Sequence, residues 1–121
     1  MSDERPCISV QYSDNIIVIT FTENKILETS DINLLDDSIS NVIEQSENNK
    51  FIFDFCNVKF LSSAVLGLLI RLSKKIYEKQ GQMVFCNIQP KLYEVFQITR
   101  LTQIFDIFDD LDSAKDALAE W

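Results

Sequence analysis

Two adjacent serines, Ser62 and Ser63, stand where a short link ends and an apolar helix is predicted to begin. They follow the apolar run Phe51 to Phe55, so the segment indicates a strand, a turn and a helix start. The first N–H groups of a helix have no partners inside it, and the helix macrodipole places partial positive charge there. A hydroxyl at this point can cap the helix, and a phosphate attached to it would be stabilised. The pattern therefore predicts either a plain serine cap or a phosphorylation site.

Other groups that could carry catalysis are scarce. The chain has no histidine, which removes the commonest general base and any Ser–His or Cys–His nucleophile pair. Its two glycines are far apart and form no phosphate-binding loop. The acids Asp106, Asp109, Asp110 and Asp112 lack the central glycine of a calcium loop, so a solvated turn is favoured over a metal site. We expect no enzyme, no metal ion and no cofactor, and a small hydrolase or transferase is the least favoured alternative.

Composition indicates one domain that binds neither nucleic acid nor membrane. The 121 residues suit a single domain over 1–121, with a core from about residue 7 to residue 118. The net charge of −8 repels phosphate backbones and anionic lipid. The longest apolar stretch, Ala64 to Ile70, is too short to span a bilayer. The charged start MSDERPC is not expected to be a signal peptide.

The cysteines indicate a cytoplasmic protein with free thiols. Cys7, Cys56 and Cys86 are odd in number and widely spaced, without a Cys-x-x-Cys pair. Cys56 and Cys86 adjoin or lie in apolar strands, so we expect them to behave as small hydrophobic side chains.

A basic cluster precedes Gly81. Its members are Arg71, Lys74, Lys75 and Lys79. Cations are favoured near a helix C-terminus, so a solvated helix face is the main interpretation. A docking patch for an acidic partner is the alternative.

Hydrophobic periodicity predicts an α/β fold with the order β-β-α-β-α-β-α-β-α. The predicted strands are Ile8 to Tyr12, Ile16 to Phe21, Phe51 to Phe55, Gln82 to Cys86, and Ile104 to Phe105. The predicted helices run from Asp31 with Thr29 or Ser30 as cap, from Ser63 to a C-terminal cap at Gly81, from Pro90, and from Leu111 to Ala119. Strands that alternate with helices imply mostly parallel pairing, and the first hairpin adds an antiparallel edge.

Two helices have a predicted inner face. In the helix after Ser63 it contains Val65, Leu68, Leu69, Leu72 and Ile76. In the helix after Pro90 it contains Leu92, Val95, Phe96 and Thr99. Both sets recur at helical spacing, as expected for side chains that face a core.

The segment FIFDFCNVKFLSSAVLG, residues 51–67, resembles the signature of the STAS domain family, the anti-sigma factor antagonists. The matching positions are Asp54, Val58, Phe60, Leu66 and Gly67, with Leu61 as a close substitute. Residues 81–87 resemble the next strand of the family, and residues 95–101, leading into 104–105, resemble its following segment. The similarity runs in one register from about Cys7 to Leu118. It implies a mixed, mostly parallel sheet of about four to five strands with helices packed around it.

The resemblance implies a regulatory role. Such domains bind an anti-sigma factor that is also a serine kinase. When the kinase phosphorylates one serine of the domain, the complex dissociates. A serine phosphatase then restores binding. That serine aligns with Ser63, and Ser62 is the second candidate. The family's acidic residue aligns with Ser62, and a family glycine aligns with Val65. A further acidic residue of the family, which follows the second strand and contributes to the kinase contact, aligns with Leu27.

The predicted docking surface surrounds the serines. Its residues are Asn57, Lys59, Ser62, Ser63, Val65 and Leu66, and core packing is the alternative for Val65. The alternative function keeps the fold without the phosphorylation switch, as a scaffold or ligand-sensing module in a bacterial signalling assembly. A weak homodimer is left open.

Overall fold

The strands and helices alternate along most of the chain. The computed structural model describes residues 2–5, 7–13, 15–26, 29–47 and 49–120, with the backbone alone for 2–5, 25–26 and 29–31. The strands are β1 Ser2–Arg5, β2 Ile8–Ser13, β3 Ile16–Phe21, β4 Lys25–Ile26, β5 Lys50–Asp54, β6 Phe60–Leu61, β7 Gln82–Cys86 and β8 Asp106–Phe108. The α-helices are α1 Thr29–Gln45, α2 Ser63–Glu78, α3 Pro90–Ile98 and α4 Leu111–Ala119. A 3-10 turn, Leu101–Gln103, connects α3 to β8.

A six-stranded sheet in the order β1-β2-β3-β5-β7-β8 forms the centre of the protein. The pairs β1–β2 and β2–β3 are antiparallel, whereas β3, β5, β7 and β8 are parallel. A separate parallel pair joins β4 to β6. The mixed α/β sheet predicted from the sequence is confirmed. Because the carboxyl ends of parallel strands share one edge of a sheet, the links after β3, β5 and β7 come together there.

The two faces of the sheet follow from side-chain alternation along its strands. On β5, Phe51 and Phe53 point into the main core, whereas Ile52 belongs to a smaller cluster on the other face. Side chains of α1, α2 and α3 complete the main core, and Ala114 and Leu118 of α4 complete the smaller one. Six phenylalanine rings in the main core have neighbouring centroids 4.5–6.1 Å apart. Such ring pairs stabilise the core beyond their area burial.

Several predicted boundaries were wrong. Strands β1, β4 and β6 were not predicted, and α1 begins at Thr29, two residues before the expected start. The last strand is β8, two residues beyond the predicted Ile104 to Phe105. Phe105 instead packs its ring on Phe85 with centroids 4.5 Å apart, so its apolar character reflects core packing. The predicted cap at Thr29 or Ser30 concerns side chains outside the described residues.

The end of α2 also differs from the prediction. Gln80, not Gly81, adopts the left-handed conformation, with φ of 61°. The Gly81 N–H bonds to the Ile76 carbonyl and the Gln80 N–H to the Tyr77 carbonyl, at 2.9 Å each, which is a Schellman motif. Gly81 is needed for space, because a Cβ there would lie 2.5 Å from the Asn49 carbonyl oxygen.

The predicted inner faces are mostly confirmed. All five predicted core residues of α2 are buried, as are Leu92 and Phe96 of α3. Val95 and Thr99 are exposed, so their assignment to the inner face was wrong. The Thr99 hydroxyl donates a hydrogen bond to the Val95 carbonyl at 2.7 Å and so satisfies a carbonyl in the last turn of α3.

The basic cluster divides into two parts. Arg71 and Lys74 are exposed. Lys75 donates to the Ser40 hydroxyl at 3.0 Å, and Lys79 donates to the backbone carbonyls of Ile43 and of Ser46, the latter at 2.7 Å. Lys79 therefore supplies positive charge to the carbonyl end of α1, where cations are favoured. These two lysines hold α1 against α2, and Arg71 and Lys74 are the exposed members of the cluster.

Candidate functional site

The start of α2 presents its two serines differently. Ser62 is the residue before the first helical turn, and its carbonyl accepts hydrogen bonds from the N–H groups of Val65 and Leu66 at 3.1 and 3.4 Å. Its hydroxyl makes no capping bond, and Oγ is buried without a partner among the described residues. Ser63 is the first helical residue and is exposed. Ser62 occupies the N-cap position, but the predicted capping bond from a serine hydroxyl was wrong. The accessible hydroxyl at this helix start is that of Ser63.

The electrostatics at Ser63 favour negative charge. The first turn of α2 contains no acidic residue, so nothing on the helix compensates the positive end of the macrodipole. An anionic group on the Ser63 hydroxyl would lie against this end of the helix, where it is stabilised.

A polar cleft of about 390 Å³ lies at the carboxyl ends of β3, β5 and β7. The link after β5 contributes Asn57 and Lys59, two of the predicted docking residues. The remaining lining residues come from neighbouring links and are Thr22, Glu23, Asn24, Cys56 and Gln89. Strand β6 then connects the cleft to Ser62, since Phe60–Leu61 lies between them.

Hydrogen bonds from neighbouring strands fix the link after β5. The buried carboxylate of Asp54 accepts bonds from the Cys56 N–H at 3.0 Å and from the Asn87 amide at 3.1 Å. The Asn57 amide donates to the Phe21 carbonyl at 3.1 Å, and the Lys59 N–H donates to the Asn24 carbonyl at 2.8 Å. Asp54 is thus a structural residue, which explains why the polar end of an apolar strand is buried.

The thiols near the cleft are poor nucleophiles. Burial, with a smaller contribution from the Asp54 carboxylate, raises the pKa of Cys86 to about 12. Partial burial and then Asp54 also raise the pKa of Cys56. Both thiols are protonated at neutral pH, and the thiolate is the reactive form. Cys86 is buried as predicted, whereas Cys56 is exposed, so its assignment as a small hydrophobic side chain was wrong.

Two of the predicted docking residues lie in the core. Val65 is 0% exposed and Leu66 is 7% exposed, so their side chains form no docking surface. The core alternative for Val65 is confirmed, because its side chain points inward from the first turn of α2. Phe60, which the predicted docking surface does not include, is 52% exposed and directly follows Lys59 of the cleft. A large apolar side chain in an exposed link was the available signal.

The link after β3 lies close to the start of α2. In the pair of β4 and β6, Lys25 lies opposite Phe60 and Ile26 lies opposite Leu61. Leu27, which aligns with an acidic position of the family, is outside the described residues.

The acidic turn near the last helix is a structural feature. The Asp110 carboxylate accepts the Ser113 N–H at 2.8 Å and so caps α4, which lowers the pKa of Asp110. In the part of the chain that the structure describes, no three cysteine or acidic side chains are placed to share a metal ion. Within that same part, no helix is long and apolar enough to cross a membrane.

Comparison with known proteins identifies the class to which this fold and site belong. The family model described as "STAS domain" matches residues 8–114. This chain therefore belongs to the STAS domain family.

Several of the matching proteins are described as anti-sigma factor antagonists. Over 50 residues the chain is 30% identical to BtrV of Bordetella bronchiseptica, which is described as a candidate anti-sigma factor antagonist. That match spans 41% of this chain and 43% of BtrV, so less than half of the relative is covered. A STAS domain protein of Planctomyces limnophilus, described as an anti-sigma factor antagonist, superposes with a TM-score of 0.84 at 25% identity. The superposition covers 93% of this chain and 97% of that protein.

The fold is also that of the anti-sigma factor antagonist SpoIIAA. The unphosphorylated form of SpoIIAA superposes with a TM-score of 0.79 at 19% identity, over 94% of this chain and 97% of SpoIIAA. At this identity the likeness concerns the fold alone.

Proposed function

We propose that this protein is an anti-sigma factor antagonist whose partner is an anti-sigma factor with serine kinase activity, and that phosphorylation of Ser63 ends their complex. The observation that carries the proposal is the exposure of Ser63 at the first position of α2, four residues along the chain from Lys59 of the polar cleft. A serine phosphatase would restore binding. The chain would act as a binding protein without catalysis of its own, in the cytoplasm, where its three thiols stay reduced.

The physical basis of the switch is a change in affinity without a change in fold. A phosphate adds about −1.5 to −2 charges at neutral pH. Within the domain this charge lies at the positive end of α2, whose first turn contains no acid. In the complex, a partner surface packed over Ser63 would have to desolvate the phosphate, which is costly without a matching cation. The free phosphorylated domain is therefore favoured over the complex.

The proposed docking surface consists of the exposed residues around the switch. They are Asn57, Lys59, Phe60 and Ser63, with Ser62 at the boundary between surface and core. Phe60 would supply the apolar anchor, and the hydrogen bonds made by Asn57 and by the Lys59 backbone keep the surface in one conformation. Val65 and Leu66 support it from beneath.

Two differences from the family signature are compatible with this function. Val65 replaces a glycine, but its side chain is buried and adds no bulk to the surface. Ser62 stands where the family has an acidic residue. A phosphate on Ser63 would therefore have no negative charge at position 62 to repel it.

A constitutive scaffold or ligand-sensing module is the second candidate function. The polar cleft favours it, because amide and lysine side chains line a concave surface at the carboxyl ends of parallel strands. In that case Ser63 would have no regulatory role, and a weak homodimer would be one of the assemblies to consider.

The deciding experiment is affinity capture from the native cell extract with wild type, Ser63→Ala and Ser63→Asp. Wild type and Ser63→Ala should retain a serine-kinase-like anti-sigma factor, and Ser63→Asp should lose it because of the added charge. Asn41→Asp is the charge control, since it adds the same charge on an exposed residue within α1.

The phosphorylation step is tested on the purified captured kinase. After incubation with ATP, mass spectrometry should find phosphate on Ser63 of the wild type and none on Ser63→Ala. Equal capture by all of the variants would instead make the protein a constitutive scaffold.

A further inference from the structure

A second concave surface lies beside the cleft, between α3 and strand β8. This groove has a volume of about 460 Å³, and one of its walls is a single face of α3. Pro90, Tyr93 and Gln97 follow one another at spacings of three and four residues, so they form one stripe along the helix. Tyr93 is 36% exposed in the middle of this wall.

The opposite wall is apolar and lies at the edge of the sheet. It contains Ile88 from the link after β7 and Ile107 and Phe108 from β8, all of them partly exposed. Ile88 and Ile107 pack against the main core, and Phe108 packs against the smaller cluster. The wall is therefore fixed in place from both faces of the sheet. Strand β8 is the last strand in the sheet order, so no other described strand covers this edge.

The charge around the groove has one sign. Glu94 and Asp109 line it, and no lysine or arginine does so. Asp106, Asp110 and Lys91 adjoin these residues in sequence, but none of the three lines the groove. A groove with one apolar wall and an acidic rim formed by Glu94 and Asp109 is complementary to an apolar group flanked by positive charge.

We propose that this groove is a docking site for a segment of a partner protein that carries one or two large apolar side chains flanked by lysine or arginine. The groove volume suits side chains of this size, and the acidic rim selects for the flanking cations. Anionic lipid and nucleic acid are repelled by the rim and by the net charge of −8. This binding surface lies beyond the Ser63 switch and does not depend on it.

A second copy of this chain is a poorer occupant. Its exposed Arg71, Lys74 and Tyr77 on α2 have suitable chemistry. However, a contact between α2 of one copy and the groove of another joins two different surfaces, and it closes only if symmetry makes it reciprocal or the rotation completes a ring. A partner segment needs no such symmetry to fill the groove.

The groove and the cleft are adjacent. Gln89 lines the cleft, whereas its neighbours Ile88 and Pro90 line the groove. One partner could therefore contact both surfaces across the link after β7. The combined area would strengthen binding without any new contact at Ser63.

The probe for this proposal is a random library of short displayed peptides, selected on the full chain. Enriched peptides should be net cationic and contain a large apolar residue. For the best enriched peptide, Tyr93→Ala should weaken binding about tenfold, because an aromatic anchor contact is lost. The double change Glu94→Gln and Asp109→Asn should weaken it several-fold at about 0.05 M salt, and less at about 0.5 M salt.

Matched controls keep the result specific. Tyr77→Ala removes an exposed tyrosine from α2 and should leave affinity unchanged, as should Ser63→Asp. Circular dichroism confirms that each variant is folded. Because Ser63→Asp should not change the affinity for the selected peptide, the experiment distinguishes failure of the groove proposal from failure of the proposed phosphorylation switch.

The proposal is overturned if no peptide is enriched, if the enriched peptides are acidic or purely apolar, or if Tyr93→Ala binds as well as wild type. Self-association would also overturn it. In that case sedimentation would show oligomers that both Tyr93→Ala and a change at Arg71 abolish.

Discussion

At the scale of single residues, Ser62 and Asp110 show how similar positions differ in energetic role. Each precedes the first turn of a helix in extended conformation. The Asp110 carboxylate accepts a backbone N–H, whereas the Ser62 hydroxyl is buried without a partner among the described residues. A serine before an apolar helix predicts a cap, but only the packed structure determines which way the hydroxyl points.

This contrast gives a stability prediction. Ser62→Ala should leave the free energy of unfolding unchanged or raise it by about 0.5 kcal/mol, since it removes an unsatisfied buried hydroxyl. Asp110→Ala should lower it, because a capping bond is lost. Urea unfolding of both variants provides the measurement. A loss of about 1 kcal/mol or more for Ser62→Ala would mean that its hydroxyl is satisfied in solution.

At the scale of elements, Gly67 inside α2 and Gly81 just after it differ in the space that is open to a side chain. Gly67 lies inside the helix, and a Cβ there would meet only the Arg71 side chain at 3.8 Å. Gly81 follows the helix, where a Cβ would clash with the Asn49 carbonyl oxygen and with Ile76. The sequence predicts a glycine cap at this end, but the left-handed residue is Gln80. The close approach of α2 to the link before β5 is what requires Gly81.

The matched pair of substitutions tests this difference. Gly81→Ala should lower the free energy of unfolding by about 1–3 kcal/mol, because backbone atoms must shift. Gly67→Ala should raise it by about 0.5–1 kcal/mol, because alanine favours helix and the space is open. Denaturant midpoints of both variants decide the question. Equal effects of the two substitutions would contradict the contact at Asn49.

The elements also show where sequence patterns succeed. Helices α2 and α4 and strands β3 and β7 were predicted closely, because each has a clear apolar period and a boundary residue. Strands β4 and β6 have two residues each and no period to detect. They form only because the links after β3 and β5 are brought together by the sheet.

At the scale of the whole molecule, the buried thiol of Cys86 makes stability depend on alkaline pH. Its pKa is raised to about 12 in the folded state from an ordinary value of 9.0, first by burial and then by Asp54. Between these pH values the folded chain keeps the proton, whereas the unfolded chain loses it. The contribution to stability is therefore complete below about pH 9 and is lost as pH rises towards about 12.

Urea unfolding between about pH 8 and pH 11 tests this linkage. Wild type should lose stability more steeply than Cys86→Val, which removes the titrating group at similar volume. Cys56→Ser is the control, since the thiol of Cys56 is exposed and its removal should change the slope less. Parallel slopes for wild type and Cys86→Val would show that Cys86 does not titrate in this way.

The candidate site is also a property of the whole molecule. Asn57, Lys59 and Ser63 were predicted from one segment, and the structure places all three on the surface. Their neighbours Asn24 and Gln89 come from distant links and had no detectable signal. Val65 and Leu66 are buried, as the core alternative for Val65 predicted, whereas Leu66 was expected on the docking surface. An apolar residue at a helix start fits both a core and an interface.

The sequence by itself determined the alternation of strands and helices, the two faces of α2 and the position of Ser63, since these follow from local periodicity and helix-start chemistry. The tertiary structure decided which residues of the helix start reach solvent and which distant links form the cleft and the groove. It also decided that Lys75 and Lys79 bind α1. Contacts between segments far apart in the chain arise when helices pack together and when parallel strands bring their ends to one edge of the sheet, and local periodicity carries no record of them.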